Sequence, residues 1–319
     1  MHCTMTIFFS WSGRSNSQGA AGAVGLRGCG VYPPLLASAF TILLLMTSLS
    51  PMRSAAQRLP KSRAGAAAPA ADYETAFTTI LREVVTDSGL VRYSRLRGDL
   101  KEPFLRVVRA IETFDLSTLV TDEEKFAFWF NAYNVQMLKN VTDTPHVRNI
   151  QLGGYARNYF RKSLLTGGIA ISLDDIEHTI LRHQGTDSRL QVYRPSRVDP
   201  RLHVALNCAA VSCPRLRRQA YTASTLHADL EDAMREFAGS TTHFRAEEDN
   251  VVISSILKWY GPDFDSADTP AGDLILRYMS ISHPDYDVLR AALAGRTSRV
   301  LRDTRAVKFT YRWRVNRAP

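Results

Sequence analysis

Apolar residues three and four apart open the patterned part of the chain. In DYETAFTTILREVV they fall at Phe77, Ile80, Leu81 and Val84, and in the stretch 103–114 they recur with the same spacing, so both segments are expected as amphipathic helices. The segment LVTDEEKFAFWFNAYNVQMLKNV behaves differently. Thr121 and Glu124 form a capping-box pair that starts a helix at about 121, running to about Val141. Its apolar residues go all the way round, with Phe126, Phe130, Tyr133 and Met137 on one side and Phe128, Trp129 and Val135 elsewhere. A helix without a polar face is buried on every side, and this one is expected at the centre of the domain. Asn131 and Asn134, three apart, enter that interior together. A buried amide left unpaired costs about 1 to 3 kcal/mol, so both must find partners.

Further on, ISLDDIEHTILRH starts with Ser172 and Asp175 in cap positions and buries Leu173, Ile176 and Ile180, a second well-signalled helix. LHVAL alternates, which predicts a strand with Leu202, Val204 and Leu206 on one face and His203, Ala205 and Asn207 on the other. STLHADLEDAMREFAG reads as an amphipathic helix closed by Gly239, and THFRAEEDNVVIS as a hairpin turning at 248–250. In AVKFTYRW the alternation predicts an edge strand that packs its aromatics. The fold class is α+β, mainly helical with a small β-sheet and one buried central helix. No internal repeat is visible.

The 319 residues, 45% of them hydrophobic, suffice for a real core. Their formal charge of +9 is peripheral: residues 1–56 contribute +3, residues 57–71 another +3 and residues 296–319 a further +7, so residues 72–295 stand at −4. That distribution speaks against nucleic-acid binding. Residues 35–50, LLASAFTILLLMTSLS, are uncharged, preceded by arginines alone and followed by small residues, with Ser54 and Ala56 suited to a cleavage site. Sixteen residues are few for a spanning helix, which needs about 20. Residues 1–56 are therefore expected to be a signal peptide or, uncleaved, a membrane anchor, the chain's one link to a membrane. Residues 57–71, rich in Ala, Pro and Arg, are expected as a linker, and 72–319 as a single exported domain.

Cleavage removes Cys3 and Cys29 and leaves Cys208 and Cys213. Three readings of that pair stay open. It is a disulfide staple, favoured by an oxidising compartment and a short loop. It is part of a metal site with His203, for which the spacing is a weak match, so neither metal nor cofactor is assigned. Or one sulfur is a nucleophile, with Cys213 placed at a helix N-terminus by Pro214. On a straight strand His203 and Cys208 lie about 16 Å apart, too far for hydrogen bonding. The base for Cys208 then comes from elsewhere, with His178, beside Glu177, as the candidate. On an α-helix those two point about 100° apart and make no dyad with each other.

The blocks AFWFNAYNVQML, SLDDIEHTILR, DPRLHVALNCAAVSCPRLRRQAY, ILKWYGPDF and YRWRVN resemble, in order, those of the domain of unknown function 547 family, over about residues 120–316. The resemblance implies an α+β domain of unassigned activity. It singles out Asn131, Asn134, Glu177, His178, Asp199, Arg201, His203, Asn207, Cys208, Ser212, Cys213, Tyr311, Trp313 and Asn316. One departure is visible, since Arg312 stands where the family's tail has an acid. Together these readings make the chain a candidate thiol-dependent hydrolase or acyl transferase acting on a small molecule or peptide. Cys208 or Cys213 is the nucleophile, His178 or His203 the base, Glu177 or Asn134 the group orienting it and Asn207 or Asn131 the oxyanion donor, with Arg201 among the binding residues. The rival is a non-catalytic, disulfide-stapled binding module of the cell envelope.

Overall fold

The helix expected at the centre is there, and the rest of the chain wraps it. The computed structural model describes residues 70–319 apart from Ala267; the expected signal segment lies outside the described residues, as does the linker up to residue 69. Helix α1 (Ala70–Val84) starts two residues before the expected domain boundary. It is followed by α2 (Tyr93–Arg97), α3 (Lys101–Glu112) and the central α4 (Asp122–Asp143). The cap of α4 is reciprocal: Thr121 accepts from the Glu124 N–H at 3.2 Å, and the Glu124 carboxylate accepts from the Thr121 N–H at 2.8 Å. Every residue from Phe126 to Leu138 is buried.

Next come α5 (Tyr155–Arg161), a hairpin of β1 (Leu164–Thr166) and β2 (Ile169–Ile171), a π-helix (Asp175–Leu181), α6 (Ser188–Gln191) and α7 (Leu202–Ala205). These elements close a first core around Phe77, Tyr93, Phe104, Trp129, Tyr133, Ile176 and Leu202. A second core, around Met234, Phe237, Phe244, Ile253, Phe264, Ile275 and Leu289, is built by α8 (Leu226–Ala238), β3 (Phe244–Glu247), β4 (Asn250–Ser254), α9 (Ile256–Trp259), α10 (Gly261–Phe264), α11 (Ala271–Tyr278), α12 (Tyr286–Leu293), α13 (Ser298–Asp303) and β5 (Val307–Thr310). Strands β3 and β4 form the expected antiparallel hairpin. β5 pairs parallel with β4, Ile253 opposite Phe309, and occupies the sheet edge as its alternation predicted. Among the described residues no helix is long and apolar enough to cross a membrane.

Three expectations are corrected. LHVAL is no strand: residues 202–205 make one helical turn, and the chain becomes extended only at Leu206. The local cause is Asp199, whose carboxylate accepts from the Arg201 N–H at 2.9 Å and starts the turn. Five alternating residues cannot tell this arrangement from a strand, because both faces are buried here. Pro214 opens no helix, so Cys213 has no helix dipole behind it. The segment carrying Glu177 and His178 is capped as expected, Ser172 and Asp175 bonding each other's backbone N–H at 3.0 and 3.1 Å, but it winds as a π-helix, with Arg182 N–H donating five residues back to the Glu177 carbonyl. π-turns of this kind recur at functional sites.

After β5 the chain returns over the first core and is stitched to it by its backbone. Val91 N–H donates to Asn316 O at 2.7 Å, Ile150 N–H to Trp313 O at 3.0 Å, and Val211 N–H to Arg314 O at 2.8 Å; Asn316 N–H donates to Ala209 O at 2.9 Å. Tyr93 O–H adds a bond to the Asn316 side chain at 2.7 Å. Removing residues 311–319 orphans three backbone donors at or near the core, at about 1 to 3 kcal/mol each, against a total stability of about 5 to 15 kcal/mol. A chain truncated after Thr310 is therefore expected to lose its cooperative thermal transition, read by circular dichroism.

Candidate functional site

The two amides of α4 decide where the cysteine segment lies. Asn134 donates to Ala205 O at 3.0 Å and accepts from Asn207 N–H at 2.8 Å, so one side chain does for this stretch what a neighbouring strand would do. One turn along α4, Asn131 makes the same pair with Tyr221, donating to its carbonyl at 2.8 Å and accepting from its N–H at 2.9 Å. Both amides are buried and committed to backbone. Asn207 continues the pattern, donating to Pro214 O at 2.8 Å and accepting from Ala209 N–H at 2.9 Å, and so closes the turn that carries both cysteines. Ala209 sits within it at φ +61°, a left-handed conformation rare for a residue with a side chain.

Cys208 and Cys213 are joined in a disulfide, with Cα atoms 6.1 Å apart. Cys213 is 8% exposed and Cys208 is half-buried. Two donors face the bond. The N–H of Cys208 donates to Cys213 Sγ at 2.8 Å, and the Tyr311 hydroxyl lies 2.9 Å from Cys208 Sγ and 3.2 Å from Cys213 Sγ. Neither bonded sulfur carries a proton, so Tyr311 is the donor to both. Burial, and then the charge of Glu177, pushes the Tyr311 pKa well up, which keeps that proton in place. The Tyr311 ring packs against Trp259 at 4.9 Å and Trp313 at 4.6 Å.

Glu177 is buried behind this centre, within 3.4 Å of the Tyr133 hydroxyl and near enough to Tyr260 for its charge to act on that phenol. Burial and the Glu177 carboxylate raise the pKa of both tyrosines, so both remain donors. Tyr260 stacks on His203 at 4.2 Å, and His203 Nε2–H donates to Asp263 at 2.8 Å. Burial lowers the His203 pKa, so the ring is neutral at pH 7. Arg182 holds Asp263 with two nitrogens and donates to His178 Nδ1 at 2.8 Å. Burial alone would raise the Asp263 pKa, but hydrogen bonds from His203 and Arg182 outweigh it and hold it at about 2.

The expected residues thus gather in one region without forming a Cys–His dyad: His178 bonds Arg182, His203 bonds Asp263, and no imidazole bonds either sulfur among the described residues. Arg201, expected to bind substrate, is taken up by Asp199 through two nitrogens and by Glu231 at 3.0 Å. Among the described residues no three His, Cys, Asp or Glu side chains are grouped to hold a metal.

Sequence reasoning passed over Asp263, Arg182 and Tyr260, whose contacts with one another across the chain and with His203 span 57 to 81 residues, and it passed over His243. That imidazole lines a cavity of about 180 Å³ together with Cys213, Asn207, Phe237 and Asn316. Burial, then the Arg312 charge, holds its pKa down at about 4.

Two outcomes follow. Asn134→Ala leaves Ala205 O and Asn207 N–H unpaired in the interior and is expected to cost about 2 to 4 kcal/mol in a denaturant titration. Stability is also expected to fall with acid. The unfolded chain protonates its histidines near pH 6.5 while folded His243 resists down to about 4, so its contribution is complete above about 6.5 and shrinks by about 3 kcal/mol as pH falls to 4. His203 acts with the same sign. Asp263, ionised in the fold down to about 2, adds its own loss only below about pH 4. His243→Phe should flatten the segment between 6.5 and 4 in melts taken across pH.

Residues 117–238 match the family model described as "Protein of unknown function, DUF547". No curated protein and no solved structure matches the chain.

Proposed function

We propose that this chain, which carries a DUF547 domain over residues 117–238, is a thiol–disulfide exchange protein working through Cys208 and Cys213. The observation that carries the reading is the pair of donors already aimed at one sulfur: the Cys208 N–H at 2.8 Å and the Tyr311 hydroxyl at 3.2 Å from Cys213 Sγ. A thiolate leaving from Cys213 would be born hydrogen-bonded, and that lowers its pKa and speeds its departure.

The exchange runs in two displacements. The thiolate of a small-molecule or peptide substrate attacks Sγ of Cys208, the less buried of the two cysteines. A substrate–Cys208 disulfide forms, the Cys208–Cys213 bond breaks, and its electron pair goes to Cys213. A second substrate thiolate then attacks the substrate sulfur of that mixed disulfide and releases Cys208. Two substrate thiols become one disulfide, two electrons pass to the protein, and the two thiol protons end on Cys208 and Cys213. The bonded pair re-forms by the same two displacements in reverse on a disulfide oxidant such as oxidised glutathione, which is reduced to two thiols; export through the N-terminal apolar run, as expected from the sequence, would bring the chain to a compartment holding such oxidants.

Thiol-dependent hydrolysis or acyl transfer needs instead a free thiolate with a base in hydrogen-bond reach, and His178 and His203 bond elsewhere. The stapled binding module is the second reading. What favours it is that the turn 208–213 provides the backbone onto which residues 314–316 dock.

Equilibrating the folded full chain in glutathione buffers, alkylating and weighing it separates the two. Exchange predicts reversible reduction without unfolding, a glutathione adduct on Cys208 in Cys213→Ser, and a reduction rate about tenfold lower in Tyr311→Phe, the loss of one hydrogen bond to a developing charge. A pair that yields to reductant only when the chain unfolds would overturn the proposal in favour of the staple.

A further inference from the structure

Past the disulfide, alternation sends the next side chains to another place. Tyr311 and Trp313 turn to Trp259 and the sulfurs, while Thr310 and Arg312 line a separate cavity of about 280 Å³ with Ser212, Thr241, Thr242 and Arg245. The sheet register explains the grouping. Arg245 lies opposite Val252 and Val252 opposite Lys308, while Ser254 lies opposite Thr310, so Arg245 and Thr310 share one face of the sheet. The loop before β3 brings Thr241 and Thr242, and the cysteine turn brings Ser212.

The lining is two guanidinium groups and four hydroxyls, with no carboxylate among them. Arg245 is paired with Glu247 at 2.7 Å, but among the described residues the Arg312 guanidinium has no ion-pair partner. Its charge is felt next door, where it helps hold His243 deprotonated. Ser212 Oγ accepts the Arg312 backbone N–H at 2.9 Å, which leaves its own proton free to donate. Guanidinium forks and hydroxyl donors around an acid-free hollow match a tetrahedral oxyanion, which offers acceptors in every direction and needs charge on one side.

We propose that this cavity is a binding site for a phosphate-type oxyanion, free or as the phosphate group of a small ester, held by Arg312 and Arg245 with the hydroxyls of Ser212, Thr241, Thr242 and Thr310. The site stands independently of the thiol chemistry, since none of its lining groups takes part in the exchange.

Calorimetric titration of the full chain with inorganic phosphate and with glycerol phosphate, at constant ionic strength, tests it. Saturable one-to-one binding is expected, weakened about tenfold or more in Arg312→Gln and in Arg245→Gln. Lys308→Gln, on the same sheet face but outside the cavity, should leave it unchanged. Tighter binding of the ester assigns the site to a phosphomonoester, and equal binding to the free ion. A second readout is the His243 imidazole, which faces Arg312 and, around its own cavity, Asp87, Arg215, Glu236 and Cys213. Bound phosphate should offset Arg312 and move the His243 titration toward 6.5 in nuclear magnetic resonance spectra. Absence of saturable binding, affinity in both arginine variants unchanged from that of the natural chain, or an equal loss in Lys308→Gln would each overturn the proposal.

Discussion

The structure depends on two of the four buried carboxamides of the central helix. Asn131 and Asn134 each present a donor and an acceptor in the spacing of a peptide group, and each pairs with chain that has no strand beside it. Buried backbone without partners would cost more than the apolar contacts of these short segments return, so without the amides residues 205–207 and 220–221 could not lie against the core. The same polarity that is expensive inside a helix bundle thereby fixes a loop to within hydrogen-bond tolerance. The cysteine turn inherits its position from that arrangement, through Asn207.

Around the turn, electrostatics follow from burial rather than from opposed charges. Glu177 is enclosed with Tyr133, Tyr260 and Tyr311, and each phenol is kept protonated both by its dry surroundings and by the neighbouring carboxylate. A set of groups that all keep their protons is a set of fixed dipoles, and fixed dipoles stabilise a charge that appears among them without having to reorganise. Asp263 is the contrasting case, a carboxylate kept ionised because Arg182 and His203 both donate to it.

What the sequence made legible was whatever is encoded within one turn or one strand. The caps at Thr121 and Ser172, the all-round apolar α4, the β3–β4 hairpin and the edge strand at Val307–Thr310 all rest on neighbours a few residues apart, and all are present. LHVAL failed because a period of two over five residues is also satisfied by one turn of helix leading into extended chain. The chemistry was legible only as a set of residues. The link from Tyr311 to the sulfurs spans about a hundred positions and that from Arg182 to Asp263 spans 81, and no local period records such a contact. His243 gave no signal at all, standing at the foot of a strand among threonines.

The turn closed by Cys208 and Cys213 also offers Ala209 O and Val211 N–H to the final segment. Bond and docking therefore share one short stretch of backbone and cannot be energetically separate. By reciprocity, whatever free energy the sulfur–sulfur bond lends to the seating of the C-terminal residues, their seating returns to the bond. A partner that pulled on the end of the chain would thus be shifting a reduction equilibrium, and a reductant would be loosening a clasp between the two cores.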